Sequence, residues 1–213
     1  MDDLASILGS LACNQSGVEW IMAYSFEQFC ADNRAAYAKN DKADLEIIRL
    51  NLERLIQENP EFVDEHCGPG ADDGVVELYE DRDKGFLVYA HGYKEGKTSP
   101  PHDHGASWAV YGQAKKFTDM TEWNRLDDKS KDGYAEIEFS KKYRLDPGMA
   151  GKFGPHEIHQ IHFEAGARFL RVTGSDLFLE ETLSYRPDDK SVIARTIGSA
   201  ANSGEKLTKR HIA

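Results

Sequence analysis

Ala135-Glu136-Ile137-Glu138-Phe139-Ser140-Lys141-Lys142-Tyr143-Arg144-Leu145 alternates along its whole length. Ala135, Ile137, Phe139, Lys141, Tyr143 and Leu145 fall on one side, and Glu136, Glu138, Ser140, Lys142 and Arg144 on the other. Successive side chains of an extended chain point to opposite faces, so this is the pattern of a half-buried β-strand. The sheet should be antiparallel, because a parallel strand covered on both faces would be apolar throughout. Outward from this stretch the same signal recurs. Val75 to Tyr79, Gly85 to Tyr93, Ser107 to Tyr111 and Arg168 to Thr173 are short β-branched or aromatic runs. Turns such as Asp132-Gly133 and Asp146-Pro147-Gly148 separate them. Several short strands with Gly, Pro and Asp between them predict a barrel or sandwich.

The beginning of the chain has a different period. Between Phe26 and Ala38, the residues Phe26, Phe29, Cys30, Asn33 and Tyr37 recur at helical spacing, with Ser25 and Gln28 placed as a capping box. Asp44 to Gln57 repeats the pattern through Leu45, Ile48, Leu52, Leu55 and Ile56, and Asn59-Pro60 stops it. Cys67-Gly68-Pro69-Gly70-Ala71-Asp72-Asp73-Gly74 is then a loop. The expected organisation is an N-terminal helical arm over 1–70, a β-barrel over 71–187 and a polar C-terminal tail over 188–213.

Charge narrows the partners. With 26 basic against 37 acidic residues the net charge is −11. That argues against nucleic acid or an anionic membrane, either of which calls for a basic surface. No apolar run approaches the roughly 20 residues of a bilayer crossing, and Met1-Asp2-Asp3-Leu4 is acidic where an export leader is basic. Cys13, Cys30 and Cys67 have no paired spacing and fit a reducing compartment. The expected location is the cytoplasm.

Five of the eight histidines lie in two short segments. His102-Asp103-His104 follows the loop Gly96 to Pro101, and His156, His159 and His162 follow Gly154-Pro155. In extended chain His102 and His104 share a face, and a mononuclear metal needs at least a third protein ligand from elsewhere in the fold. If Glu157 to Phe163 is a strand, His159 shares a face with Ile161 and Phe163, the more apolar one. His159 is therefore the chosen third ligand, with His156 and His162 as alternatives on the other face. His91 is placed on a face with Leu87, Tyr89 and Tyr93, bordering the same cavity or simply satisfied in the core. His66 and His211 are given no role.

These segments resemble the cupin superfamily of double-stranded β-helix barrels. Its first motif, a glycine, five residues, His-x-His and a later glycine, is matched by Gly96, Lys97 to Pro101, His102-Asp103-His104 and Gly112. Its second is matched more loosely by Gly154-Pro155-His156-Glu157-Ile158-His159-Gln160-Ile161. The resemblance covers about 75–181. The glutamate usual after the second histidine is missing, since positions 108 to 110 are Trp-Ala-Val. A three-histidine site is similar to that of the cysteine dioxygenase and 3-mercaptopropionate dioxygenase group. That group places a substrate-binding arginine at the start of an early strand. Here that place falls near Val75, and the nearest arginine is Arg82, in a turn. It also has a Ser-x-His-x-Tyr relay on a late strand, which Phe169 to Gly174 does not reproduce. The barrel and metal are thus expected to be shared and the substrate to differ.

The resemblance implies a mainly β, cupin-type fold with a mononuclear Fe(II) dioxygenase site acting on a small organic acid or thiol with O₂. Neutral imidazoles also suit Zn, Ni or Mn, so a non-redox isomerase, lyase or hydrolase, or a ligand-binding cupin without catalysis, stand as alternatives. Trp108, Tyr111, Tyr89 and Tyr93 are candidates to wall the pocket, and Arg168 and Arg171 to bind an acidic group of the substrate. Alternation points Asp103, Glu157 and Gln160 away from the ligands. A homodimer through edge strands is expected, because exposed edges tend to be covered.

Overall fold

The computed structural model describes residues 23–38, 40–196 and 207–209. The acidic start of the chain, Cys13 and His211 lie outside the described residues. Three helices come first, α1 (Phe26–Ala35), α2 (Leu45–Glu58) and α3 (Pro60–Cys67). Twelve strands follow: β1 (Gly74–Glu80), β2 (Leu87–Gly92), β3 (Lys97–Thr98), β4 (Ala109–Lys115), β5 (Thr118–Arg125), β6 (Ile137–Leu145), β7 (Ala150–Phe153), β8 (Ile158–Phe163), β9 (Arg168–Thr173), β10 (Glu181–Arg186), β11 (Ser191–Thr196) and β12 (Leu207–Lys209). One sheet has the order β12-β1-β2-β9-β4-β7 and the other β3-β8-β5-β6, with β10 and β11 paired as a hairpin. Every described pair is antiparallel except β1 with β12. The fold is the mainly β, double-stranded β-helix barrel that the sequence implies, with helices preceding it.

Local chemistry explains the helices. The Ser25 hydroxyl accepts from the Gln28 amide, and the Asp44 carboxylate accepts from the Glu46 and Ile47 amides at the start of α2. Asn59 accepts from the Phe62 amide, so Asn59-Pro60 both ends α2 and begins α3. A proline that stops one helix is also well placed to start the next, which is why the helical stretch divides at Asn59-Pro60.

The apolar stripes of the helices lie on the barrel. Phe29, Ile48, Leu52 and Leu55 are fully buried against Val76, Leu78, Val88, Ala90, Val110, Leu170 and Val172 of the six-stranded sheet. Burying each such side chain stabilises by about 1.5–3 kcal/mol. The other face of that sheet meets the four-stranded sheet through Ala109, Tyr111, Met120, Leu145, Phe153, Phe163 and Phe169. Three layers result: helices, large sheet, small sheet. The large sheet is covered on both faces, and β2 is accordingly buried at all six residues. Closest approach is at Gly112, where a Cβ would lie 2.6 Å from Ile56 Cδ1 and 2.7 Å from Leu52 Cγ.

One expectation is corrected. The alternating stretch that ends in β6 does not bury one face along its length, and Phe139 is 59% exposed. The pairing steps from Glu122–Lys141 to Trp123–Phe139, leaving Ser140 as an extra residue in an edge strand. A bulge of this kind shifts the phase of the alternation beyond it. The described residues of the polar C-terminal stretch are paired with the rest of the fold. Residues 191–196 pair along β10, and Leu207–Lys209 adds beside β1, where Lys209 Nζ meets the buried Glu77 carboxylate at 3.0 Å. Val192 packs with Ala135, Ile158 and Tyr185 on the outer face of the small sheet. A short strand needs few apolar residues when its hydrogen bonds and one buried side chain hold it.

Candidate metal centre

His102 and His104 lie between β3 and β4, and His159 is the second residue of β8. The backbone joins them directly. His102 N–H donates to the His159 carbonyl at 2.8 Å and His159 N–H donates to the His102 carbonyl at 2.9 Å. One potential ligand atom from each of the three residues lies within 4.8 Å of the others. Ring centroids are separated by 5.5 Å for 102 and 104, 4.5 Å for 102 and 159, and 4.7 Å for 104 and 159. The three rings therefore converge inside the barrel, and of the three histidines in the second segment it is His159 that joins His102 and His104. His156 is exposed, and His162 is exposed with its Nδ1 2.8 Å from the Thr98 hydroxyl.

The second nitrogen of each ring decides what the first is free to do. His102 Nδ1 lies 3.0 Å from the Pro100 carbonyl and His159 Nδ1 3.3 Å from the Glu157 carbonyl. A carbonyl only accepts, so both Nδ1 atoms carry the proton and both Nε2 atoms keep a lone pair. His159 Nε2 is buried without a hydrogen-bond partner, as is His104 Nδ1, while His104 Nε2 is 3.2 Å from the Tyr111 hydroxyl. A buried polar atom left without a partner costs about 1–3 kcal/mol. Coordination would satisfy both. Burial holds His104 and His159 well below the ordinary histidine value and lowers His102, with neighbouring imidazoles and Arg171 adding to the effect at His104. All three are thus neutral donors at neutral pH, the state in which imidazole ligates metals. The donor set fits a divalent ion.

Packing fixes the rings. Phe153 stacks on His159 at 3.9 Å and 15°, and Tyr111 meets it at 6.0 Å and 64°. Beside His102 a cavity of about 160 Å³ opens, bordered by His91, Tyr93, Ser99, Tyr111 and Arg171 and by the rings of Phe163 and Phe169. A dry apolar cavity of about this size accepts a ligand the size of benzene. Among the described residues none that lines it is a carboxylate. Cross-strand register explains the composition: Tyr89, Arg171 and Tyr111 stand opposite one another across β2, β9 and β4, and His91 stands opposite Phe169. His91 stacks on Phe169 at 4.7 Å, its Nδ1 is 3.1 Å from the Tyr93 hydroxyl, and its Nε2 is buried without a hydrogen-bond partner.

Not every expected pocket residue is there. Trp108 packs in the core shared with the helices and does not line the cavity. Arg168 donates to the Asp72 carbonyl and to Asp73 at 3.0 Å, on the same strand face as neighbouring backbone rather than the cavity. Tyr89 is buried beside Arg171 with the guanidinium 5.4 Å above its ring. Asp103, Glu157 and Gln160 meet Tyr185, the Gly154 amide and the Ser99 carbonyl rather than the ligands; alternation accounts for Asp103 and Gln160, whereas Glu157, two residues before His159, is turned aside because it precedes β8 in the turn. Phe153 and Ser99 are site residues that the sequence reading missed, since neither carries a motif. A larger groove of about 550 Å³, between β5, β6 and the turn before β8, holds none of the three histidines.

No family model matches the chain, and no curated protein matches it. Solved structures do share part of its path. KdgF from Halomonas sp. superposes with a TM-score of 0.35 and 13% identity over 46% of this chain and 74% of that one. The cupin domain of Cnp3 from Schizosaccharomyces pombe gives 0.36 and 9% over 48% and 64%. A cupin superfamily protein from Desulfitobacterium hafniense DCB-2 gives 0.34 and 16% over 50% and 83%. What the chain's own geometry establishes is a β-barrel in which three buried or half-buried imidazoles from two distant segments converge beside a small cationic cavity.

Proposed function

We propose that this chain is a cupin-type, metal-dependent enzyme: a mononuclear non-haem Fe(II) dioxygenase acting on a small organic acid or thiol. The observation that carries the reading is the convergence of three neutral imidazoles, His102, His104 and His159, each offering a ring nitrogen within 4.8 Å of the others next to the cavity, with His159 Nε2 buried and without a hydrogen-bond partner. His102, His104 and His159 would hold the ion. Bound there by three neutral ligands, Fe(II) would supply a doubly charged centre at which an anionic substrate and O₂ can be brought together.

The chain's own residues account for the rest. Arg171 gives the cavity a fixed positive charge suited to a carboxylate or another anionic group. Phe163, Phe169 and Ile161 exclude water from the opposite wall, which strengthens that attraction. The Tyr111 hydroxyl, 3.2 Å from His104 Nε2, and the Tyr93 hydroxyl, 3.1 Å from His91 Nδ1, line the cavity as its polar groups beside Arg171. The volume limits the substrate to a few non-hydrogen atoms. The test is metal analysis of the purified protein together with O₂ uptake on a panel of small thiols and acids. Stoichiometric iron with substrate-dependent O₂ consumption supports the reading. Turnover that persists without oxygen refutes the dioxygenase assignment and favours Lewis-acid chemistry with Zn, Ni or Mn.

A further inference from the structure

Asp103 separates two of the proposed ligands in sequence and is completely buried. Its carboxylate is held from strand β10. Oδ1 accepts from the Leu183 amide at 3.0 Å and from the Gly105 amide at 3.0 Å, while Oδ2 accepts from the Tyr185 hydroxyl at 2.8 Å. The backbone reinforces this hold: Asp103 N–H donates to the Leu183 carbonyl at 3.1 Å and Tyr185 N–H to the Pro101 carbonyl at 2.9 Å. The segment His102-Asp103-His104 is therefore clamped between β8, through the paired His102 and His159 backbones, and β10, through Asp103. Tyr185 is itself 2% exposed, a residue of β10 paired with Val192 of β11 and packed with Ala135 and Ile158.

A buried carboxylate is costly unless it meets several donors or an opposite charge. Asp103 has three donors, but among the described residues no arginine or lysine pairs with it. Meanwhile three neutral imidazoles leave a divalent ion with its full charge. The two requirements answer each other. We propose that Asp103 is a positioning residue of the metal centre: held by Tyr185 and the β10 backbone, it fixes the two flanking imidazoles and supplies the buried negative charge that offsets the ion. This inference rests on the metal reading above.

Two substitutions separate charge from geometry. In Asp103→Asn the amide oxygen keeps both backbone donors, and the amide nitrogen donates to the Tyr185 hydroxyl in place of accepting from it, so shape is kept and charge is lost. Tyr185→Phe keeps the charge and removes one hydrogen bond. Co(II) is the probe, titrated into the chelator-treated full chain, with its visible bands reporting ligand geometry and azide reporting anion affinity at the bound ion. Asp103→Asn should weaken Co(II) binding about 10- to 100-fold, the range for outer partners of metal ligands, and tighten azide binding. Tyr185→Phe should weaken Co(II) less and shift its bands. Opposite signs for cation and anion are what general loosening would not produce. Unchanged Co(II) affinity in both folded variants, or weakening of Co(II) and azide together in Asp103→Asn, overturns the inference. If Asp103→Asn does not fold, Tyr185→Phe decides alone by its Co(II) affinity and bands. A wild-type chain that takes up no Co(II) overturns the metal reading itself, a result distinguishable from either variant's.

Discussion

Replacing Gly112 with alanine tests whether the helices belong to the same core as the site. The added methyl would sit 2.6 Å from Ile56 Cδ1, 2.7 Å from Leu52 Cγ and 2.8 Å from Leu52 Cδ2. Carbon atoms prefer about 3.5–4.0 Å, so α2 must withdraw by something like an ångström or its leucine must leave its rotamer. Overpacking of this kind costs about 1–3 kcal/mol. Restricting the unfolded chain returns about 0.4–1 kcal/mol, leaving a net loss of about 1.3 kcal/mol at the midpoints of the two ranges. For a chain of this size that lowers Tm by roughly 3–5 °C. Gly70→Ala, whose methyl meets nothing within 4 Å, is the control and should hold or raise Tm. Thermal unfolding by circular dichroism or calorimetry reads both. The Gly112 methyl faces α2 while Tyr111, its neighbour, faces the cavity, so metal affinity should not change. An unaltered Tm in Gly112→Ala, or two separate unfolding transitions in the wild type, would refute the shared core.

Other consequences follow from the site. Arg171→Gln should retain bound metal but lose about tenfold or more in affinity for small carboxylates or thiolates, measured by calorimetry on the loaded protein; equal affinity would remove Arg171 from the pocket's function. Burial holds His91 well below the ordinary histidine value. Between that lowered value and about 6.5 the unfolded chain binds a proton that the folded chain does not, so stability is complete above about pH 6.5 and falls as the pH drops, by up to about 1.4 kcal/mol per unit. His91→Phe should flatten the metal-free protein's denaturant midpoint between pH 7.5 and 5.5 by about one proton's worth, and parallel curves would contradict the assignment. Phe153→Leu should lower metal affinity without abolishing it, because His159 loses its stacked neighbour but keeps its Nδ1 contact; complete loss of metal would mean the ring does more than orient.

Much of this was readable in the residues, for identifiable reasons. The grouping of His102, His104 and His159 was legible because a two-residue spacing after a Gly/Pro loop is a local property, and Ile161 and Phe163 mark the face of β8 that turns inward. Arg171 and His91 followed from the same alternation. Three-dimensional partnership was less legible. Trp108 was expected in the cavity as an aromatic residue close to the histidines, yet it precedes β4 and is in phase with Val110, on the face that packs against the helices, opposite to Tyr111. Arg168 and Arg171, three apart on β9, fall on opposite faces by alternation, and the Asp72–Asp73 loop, distant in the chain, supplies what Arg168 binds. The phase shift at Ser140 has no sequence signal, since a bulge depends on the partner strand. Nor did Asp103 announce itself: alternation said only that it faces away from the ligands, and what it faces is supplied by Tyr185, across most of the barrel's sequence.

The most direct measurement is the metal content of wild-type chain purified without chelators or an affinity tag, set beside a His102→Ala/His104→Ala double variant of intact fold. Convergence of residues 102, 104 and 159 on a single ion calls for close to one divalent metal per wild-type chain and essentially none in the double variant. Wild-type protein that stays metal-free even when offered Fe(II), Co(II) or Zn(II), or a double variant that still carries one equivalent, would contradict it.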